Sequence, residues 1–315
     1  MLTTPVVRIL KQQVKDAEVH FLTKNSFVQL LEANPFIDKV IGTDGTLNDV
    51  VELLKAEKYD GIIDLHNNIR SLKVKKLVGR PSTTFNKLNF KKWMLVNLKV
   101  NRLPAMHIVD RYLNTIAHLN VYNDLKGLDF FINKKDEVDL SIFPEQFNRG
   151  YIAFVIGANH ATKKMPSEKI SEIVKLLNFP ALILGGEGDK AEGEKIANEN
   201  PELAINTCGK FSINQSASLI QQAEVVITHD TGLMHIAAAL NKKIVSVWGN
   251  TVPEFGMTAY MPQNPGNSVT IEVKNLSCRP CSKIGYKECP KKHFNCMNHI
   301  QNRDVVHAVN SFLKK

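Results

Sequence analysis

The sequence predicts an α/β protein made of two doubly wound parallel-sheet units. Three observations carry this. Short apolar runs of strand length alternate with amphipathic runs of helix length through most of the chain, the pattern of parallel sheets with helical crossovers. A length of 315 residues accommodates two domains, each with its own core. The stretch Thr228-His229-Asp230-Thr231-Gly232-Leu233-Met234-His235-Ile236-Ala237-Ala238-Ala239 joins a strand-like run to a helical one through a tight polar turn, the place where such folds hold ligands.

In chain order, Thr4 as N-cap and Pro5 at the first helical position, with Val6, Val7, Leu10 and Val14 behind them, predict an opening helix. Strands are expected at 19–23, 39–42 and 61–65, with helices at 26–32 and 47–57. A longer helix is expected at 104–119, with Met106, Val109, Tyr112, Leu113 and Ile116 on one face. After the strand-like 128–132, the polar stretch 144–150 sets the boundary, giving domains 1–147 and 148–315. In the second domain, strands at 151–157, 181–185, 203–206, 225–228 and 243–248 alternate with helices at 167–177, 189–198, 214–222 and 232–240. A Cys-rich loop at 278–296 and a helix at 303–313 close the chain. A doubly wound half normally opens with a strand that lies mid-sheet. Here the chain opens on the helix, so the first domain is expected to lack its first strand.

Hydrophobic residues are 43% and charged residues 23%, as in soluble globular proteins. No run of about 18 apolar residues suggests a membrane span. The opening residues lack the basic and apolar regions of a secretory signal, and a cytoplasmic location is expected. The net charge of +9 is concentrated. Between Leu65 and Val109 there is no Asp or Glu, but there are Arg70, Lys73, Lys75, Lys76, Arg80, Lys87, Lys91, Lys92, Lys99 and Arg102. Such a block is either a solvated face or an attractor for an anionic partner: nucleic acid, a membrane surface or a phosphorylated acceptor. With no nucleic-acid motif, and no aromatics in the block beyond Phe85, Phe90 and Trp93, nucleic acid is the least favoured.

Four segments carry polar groups where strands end and helices begin: 158–166 with Lys163, 185–189 with Glu187, 208–212, and Asp230 to His235. A lysine and free N–H groups at a helix start suit a phosphate, and a glutamate after two glycines suits ribose hydroxyls. Any one is ordinary loop chemistry; Asp230 alone reads as a helix cap and His235 alone as a core residue. Four in register point to a nucleotide diphosphate. Cys278, Cys281, Cys289 and Cys296 resemble a zinc ligand set, although the second pair is spaced widely; four reduced thiols packing a loop fit as well.

The blocks Asp230-Thr231-Gly232-Leu233-Met234-His235 and Val247-Trp248-Gly249-Asn250-Thr251-Val252-Pro253, with Lys163 and Pro166, Gly185-Gly186-Glu187, Asp64 to Ser71 and Asp110-Arg111-Tyr112, resemble glycosyltransferase family nine, the ADP-heptose:lipopolysaccharide heptosyltransferases. The resemblance implies the GT-B architecture, two Rossmann-like domains facing a cleft, with acceptor on the first and nucleotide sugar on the second. It implies inverting, metal-independent transfer of heptose from ADP-heptose to an inner-core lipopolysaccharide precursor, at the inner face of the cytoplasmic membrane. No cofactor beyond the co-substrate is implied; structural zinc in the Cys loop stays one of the two readings of its spacing. By position, Thr162, Lys163, Glu187, Phe211, Asp230, Thr231, Gly232, Leu233 and His235 would bind the donor, with Lys163 stabilising the departing ADP. Asn67, Arg70 and Arg111 would serve the acceptor. The family's aspartate base lies in a turn that would fall just upstream of Met1. A same-fold enzyme for another sugar, or an inactive nucleotide-binding homologue, are the alternative expectations.

Overall fold

The computed structural model describes residues 1–44 and 47–313. The chain forms two compact units, Met1–Asn89 with Met106–Phe131, and Phe90–Ala105 with Ile132–Lys315.

In the first unit α1 (Thr4–Gln13) buries Val6, Val7 and Ile9. It also buries Arg8, which is tolerated because the guanidinium is fully engaged: it donates to both Asp124 carboxylate oxygens at 2.9 Å, to Asp129 and to the Gly127 carbonyl at 2.9 Å. The Thr4 hydroxyl does not cap its helix; it accepts the Asp129 N–H at 2.9 Å. These two contacts claim the backbone around 127–129, and the expected strand at 128–132 does not form; Leu128 and Phe130 are buried as irregular chain. β1 (His20–Thr23) pairs in parallel with β2 (Lys39–Gly42). After α2 (Leu47–Ala56), β3 (Ile62–Asp64) pairs in parallel with β4 (Ser82–Thr84) across α3 (Ile69–Val78). Among the described residues the two pairs are not joined.

One element here is unforeseen and another is shorter than expected. α4 (Asn89–Trp93) runs into a π-helical turn at Met94–Leu98. Residues 90–105 group with the second unit, because Leu95 is buried with Val252 and Phe255. α5 is only Ile108–Leu113, not 104–119. It begins where His107 Nδ1 accepts the Val109 N–H at 3.2 Å, and it stops where the Thr115 hydroxyl takes the Tyr112 carbonyl at 2.6 Å. Val109, Leu113 and Ile116 are buried as expected, whereas Met106 is exposed.

The second unit begins at Ile132, ahead of the boundary expected at 147. The linking segment is claimed early: the Val138 N–H bonds the Ser218 hydroxyl at 2.9 Å and Phe147 is buried. After α6 (Glu145–Asn148) come β5 (Ile152–Val155), α7 (Ser167–Leu177), β6 (Ala181–Leu184), α8 (Lys190–Glu199), β7 (Ala204–Asn206), α9 (Ile213–Gln222), β8 (Val225–His229), α10 (Gly232–Ala239), β9 (Lys243–Trp248) and β10 (Ser268–Glu272). The strands form one six-stranded parallel sheet in the order β10-β9-β8-β5-β6-β7. β5, β6 and β8 are buried throughout, which is why they read as unbroken apolar runs. β10 went unpredicted, although Val269-Thr270-Ile271 is strand-like. Past α11 (Asn295–Asn298), α12 (Asn302–Leu313) packs on α7 and on the β8–β10 side of the sheet through Val305, Ala308 and Val309. Its apolar face is thus buried within the second unit.

Candidate functional site at the switch point of the second sheet

The chain winds one way from β5 through β6 to β7 and the other way from β8 through β9 to β10. The winding reverses between β5 and β8, and loops leaving those strands diverge and leave a crevice. The loop after β5 carries Lys163, and the turn after β8 carries Asp230, Thr231 and Gly232. Lys163 Nζ lies 2.6 Å from Asp230 Oδ2 and 3.3 Å from the Asp230 carbonyl. The pair is partly sheltered, with 16% of the lysine side chain and 9% of the aspartate side chain exposed.

Neighbouring groups hold this arrangement. His229, the last residue of β8, is buried, and its Nε2 accepts the Met165 N–H at 3.0 Å. Burial, aided by nearby Lys164, drives its pKa down to about 4, so the ring is neutral and free to accept. Thr251 Oγ1 donates to Asp230 Oδ2 at 3.0 Å. Arg279 fixes that turn from behind, donating to the carbonyls of Gly249 at 2.6 Å and Thr251 at 2.7 Å while pairing with Glu272 at 2.7 Å. Gly249 is required by close approach: a Cβ there would lie 2.8 Å from the Thr162 carbonyl and 2.7 Å from Met297 Cε. Thr251 and Arg279 were not among the sequence candidates. The rule that selected the other loops, polar residues just past a strand, selects Thr251 after β9 equally well.

Thr231 starts α10 in extended geometry, and its side chain makes no capping bond. The N–H groups of the first helical turn therefore keep their donor capacity, reinforced by the helix dipole. A Cβ on Gly232 would meet nothing within 4 Å, so the space before this helix start is open. Leu233 is half-buried and His235 buried on the same helix. Lysine, aspartate and open N–H groups thus meet at the start of α10.

Other candidates sit differently. The Thr162 hydroxyl is taken: it accepts the Tyr286 N–H at 2.8 Å and donates to the Tyr286 carbonyl at 3.2 Å, tying the Lys163 loop to the Cys-rich loop. In this arrangement Thr162 supports the loop that carries Lys163. Glu187 is exposed beyond β6 and lies over Gly209, which has φ +72°; a Cβ there would come within 2.2 Å of Glu187 Oε2. Phe211, two residues on, is half-buried with its ring 6.4 Å from that of Phe143. In the first unit Asn67 Nδ2 donates to the Phe85 carbonyl at 2.8 Å. Asp64 accepts the Asn67 N–H at 2.7 Å and pairs with Lys75 at 2.9 Å. Arg111 is buried, its guanidinium 5.5 Å from the Phe85 ring centroid, and desolvation holds its pKa below the usual arginine range. Two of the three residues expected at the acceptor, Asn67 and Arg111, are therefore engaged internally, whereas the third, Arg70, is exposed in the first turn of α3. The basic block is divided: Lys75 is neutralised by Asp64, and Lys99 donates to the Pro280 carbonyl at 2.7 Å.

Among the described residues no three His, Cys, Asp or Glu side chains are placed to hold a metal ion. Cys296 lies inside the core with Met297, where burial pushes its thiol up to about 12. The zinc ligand set that the spacing suggested is not assembled, and packing accounts for this cysteine.

The model of glycosyltransferase family 9 (heptosyltransferase) matches residues 49–292. Lipopolysaccharide heptosyltransferase 1 of Campylobacter coli is 28% identical, over 96% of this chain and 92% of its own length. The solved family 9 glycosyltransferase of Veillonella parvula superposes with a TM-score of 0.78 at 22% identity, covering 99% of this chain and 93% of that one. E. coli ADP-heptose lps heptosyltransferase II superposes with a TM-score of 0.70 at 19% identity, covering 99% and 94%. The fold of these solved proteins is the GT-B fold, as the sequence suggested.

Proposed function

The chain belongs to glycosyltransferase family 9, and from that premise we propose that it moves a heptose from an ADP-linked donor to the inner core of a lipopolysaccharide acceptor. The observation that carries the donor half is the contact of Lys163 with Asp230 at 2.6 Å, beside the uncapped start of α10 at the switch point. A diphosphate seated there meets the N–H groups of Gly232 and its neighbours, and Lys163 turns from Asp230 toward the phosphate oxygens.

Inverting transfer breaks the bond between the sugar's anomeric carbon and the diphosphate as the acceptor hydroxyl attacks the opposite face. Negative charge develops on the leaving phosphate, and preorganised donors aimed at it lower the barrier. Lys163 and the α10 amides supply this. The hydroxyl's proton passes to a base. Asp230, already engaged by Lys163 and Thr251, holds the lysine in position, and with Thr231 and His235 lines the sugar side. Glu187, exposed past β6, reaches the ribose hydroxyls, and Phe211 flanks the base. Arg70, with exposed Lys73 and Lys76 of the same helix, meets the acceptor's phosphates and acidic sugars, and the lipid-linked acceptor brings the enzyme to a membrane's inner surface.

Calorimetric titration with ADP, UDP and their sugars tests the donor assignment, with Lys163→Ala as the control. ADP binding that Lys163→Ala weakens supports the reading; UDP binding in preference to ADP would replace the donor.

A further inference from the structure

The segment from α4 through Val100 carries a surface that the transfer site does not use. Phe90, Trp93 and Leu98 are 71%, 49% and 55% exposed, and Val100 is exposed beside them. The Phe90 and Trp93 rings lie nearly parallel, with centroids 6.1 Å apart and planes 12° from each other. The segment is held from its other side. Leu95 is buried against Val252 and Phe255, the Lys92 ammonium lies 5.9 Å over the Phe255 ring, and Lys99 donates to the carbonyls of Cys278 and Pro280. The aromatic side chains are thus presented outward from a clamped backbone.

Large apolar side chains grouped in water are unfavourable unless something covers them. Charge identifies the cover. Exposed Lys91 and Arg102 flank the patch, within a stretch from Leu65 to Val109 free of Asp and Glu. Trp and Phe beside Lys and Arg is the chemistry of the interface between lipid headgroups and acyl chains. Leu98 and Val100 offer nothing for reading a base, which favours lipid over nucleic acid.

We propose that Phe90, Trp93, Leu98 and Val100 enter an anionic bilayer surface, with Lys91 and Arg102 against its headgroups. The proposal rests on the transferase reading in one respect, that a lipid-linked acceptor places the work at a membrane.

The test uses the full chain with vesicles of phosphatidylcholine, with or without phosphatidylglycerol. The chain has two tryptophans, and Trp248 is only 1% exposed, so quenching by brominated lipid reports Trp93. The expected result is flotation with the anionic vesicles, a blue shift and quenching of Trp93. Phe90→Ser with Leu98→Ser should weaken binding about tenfold or more, and Lys91→Gln about fivefold, on anionic vesicles only. No flotation of the unaltered protein, or flotation indifferent to Phe90→Ser with Leu98→Ser, would overturn the proposal. So would self-association that the same double substitution abolishes without any vesicle binding, which would give the patch to a second copy. Heptose transfer to a deacylated, water-soluble acceptor is measured alongside. The double variant should retain it, whereas its absence in the unaltered protein sinks the transferase reading and leaves the vesicle result to stand alone.

Discussion

Replacing Lys163 by Met removes the charge and keeps most of the apolar stem, so its consequences separate binding from folding. In the free protein the ammonium sits 2.6 Å from Asp230 Oδ2. A fully buried pair broken on one side costs about 3–5 kcal/mol. Here the lysine side chain is 16% exposed, and Asp230 keeps the Thr251 hydroxyl at 3.0 Å. Its carboxylate also stands just ahead of α10, where the helix dipole favours it. We therefore expect a loss of about 1–2 kcal/mol, which in a unit of about 200 residues lowers Tm by about 2–8 °C. Binding is hit harder. A charge-assisted hydrogen bond to the diphosphate is worth about 1.5–3 kcal/mol. Because Lys163 must loosen its hold on Asp230 to make it, the lower half of that range applies, about 10–40-fold in the Kd for ADP. Isothermal titration calorimetry at a temperature well below both melting transitions reads this directly. A Kd changed by less than about threefold, in a variant that melts cooperatively, would refute the placement of the diphosphate at this lysine.

Further outcomes follow from neighbouring residues. Gly232→Ala adds a methyl in open space at the start of α10; Tm should hold or rise slightly, while ADP affinity falls, as titration will show. Gly249→Ala forces a Cβ against the Thr162 carbonyl and Met297, with an expected cost of about 1–3 kcal/mol in urea denaturation. His229 has a folded pKa of about 4 against an ordinary 6.5. Between those values the unfolded chain binds the extra proton, so this contribution is full above pH 6.5 and is lost as pH falls toward 4. It amounts to about 3 kcal/mol by linkage. Urea midpoints of the parent should drop over that window, and His229→Gln should flatten the slope; an unchanged slope would remove His229 as its source.

Much of the second unit was legible from sequence because its strands are buried on both faces. An unbroken apolar run such as Ala181–Leu184 announces itself without knowledge of its neighbours. The first unit was harder. β3 and β4 are three residues each, and the segment at 128–132 has strand composition but gives its backbone groups to Thr4 and Arg8. No local pattern shows that a side chain over a hundred positions away will take those groups. Asn67 and Arg111 meet the same limit: their residue types suit an acceptor site, and only the fold shows that both also contact Phe85. Thr162 illustrates it inside the site, since only the path of the loop around Tyr286 shows its hydroxyl to be spent.

The alternation of elements, the turn at Asp230-Thr231-Gly232, the family resemblance and the acid-free basic block are legible in the chain alone, because they reside in periodicity, local turn chemistry and composition. Long-range packing brings Lys163 to Asp230 and sets Thr251 and Arg279 behind the pair. It also assigned residues 90–105 and α12 to the second unit and left the four cysteines without a shared metal geometry. The physical reason is common to all of these. A hydrogen bond or ion pair is settled by which groups reach one another first and leave none buried unpaired, and that competition runs between residues far apart in the chain.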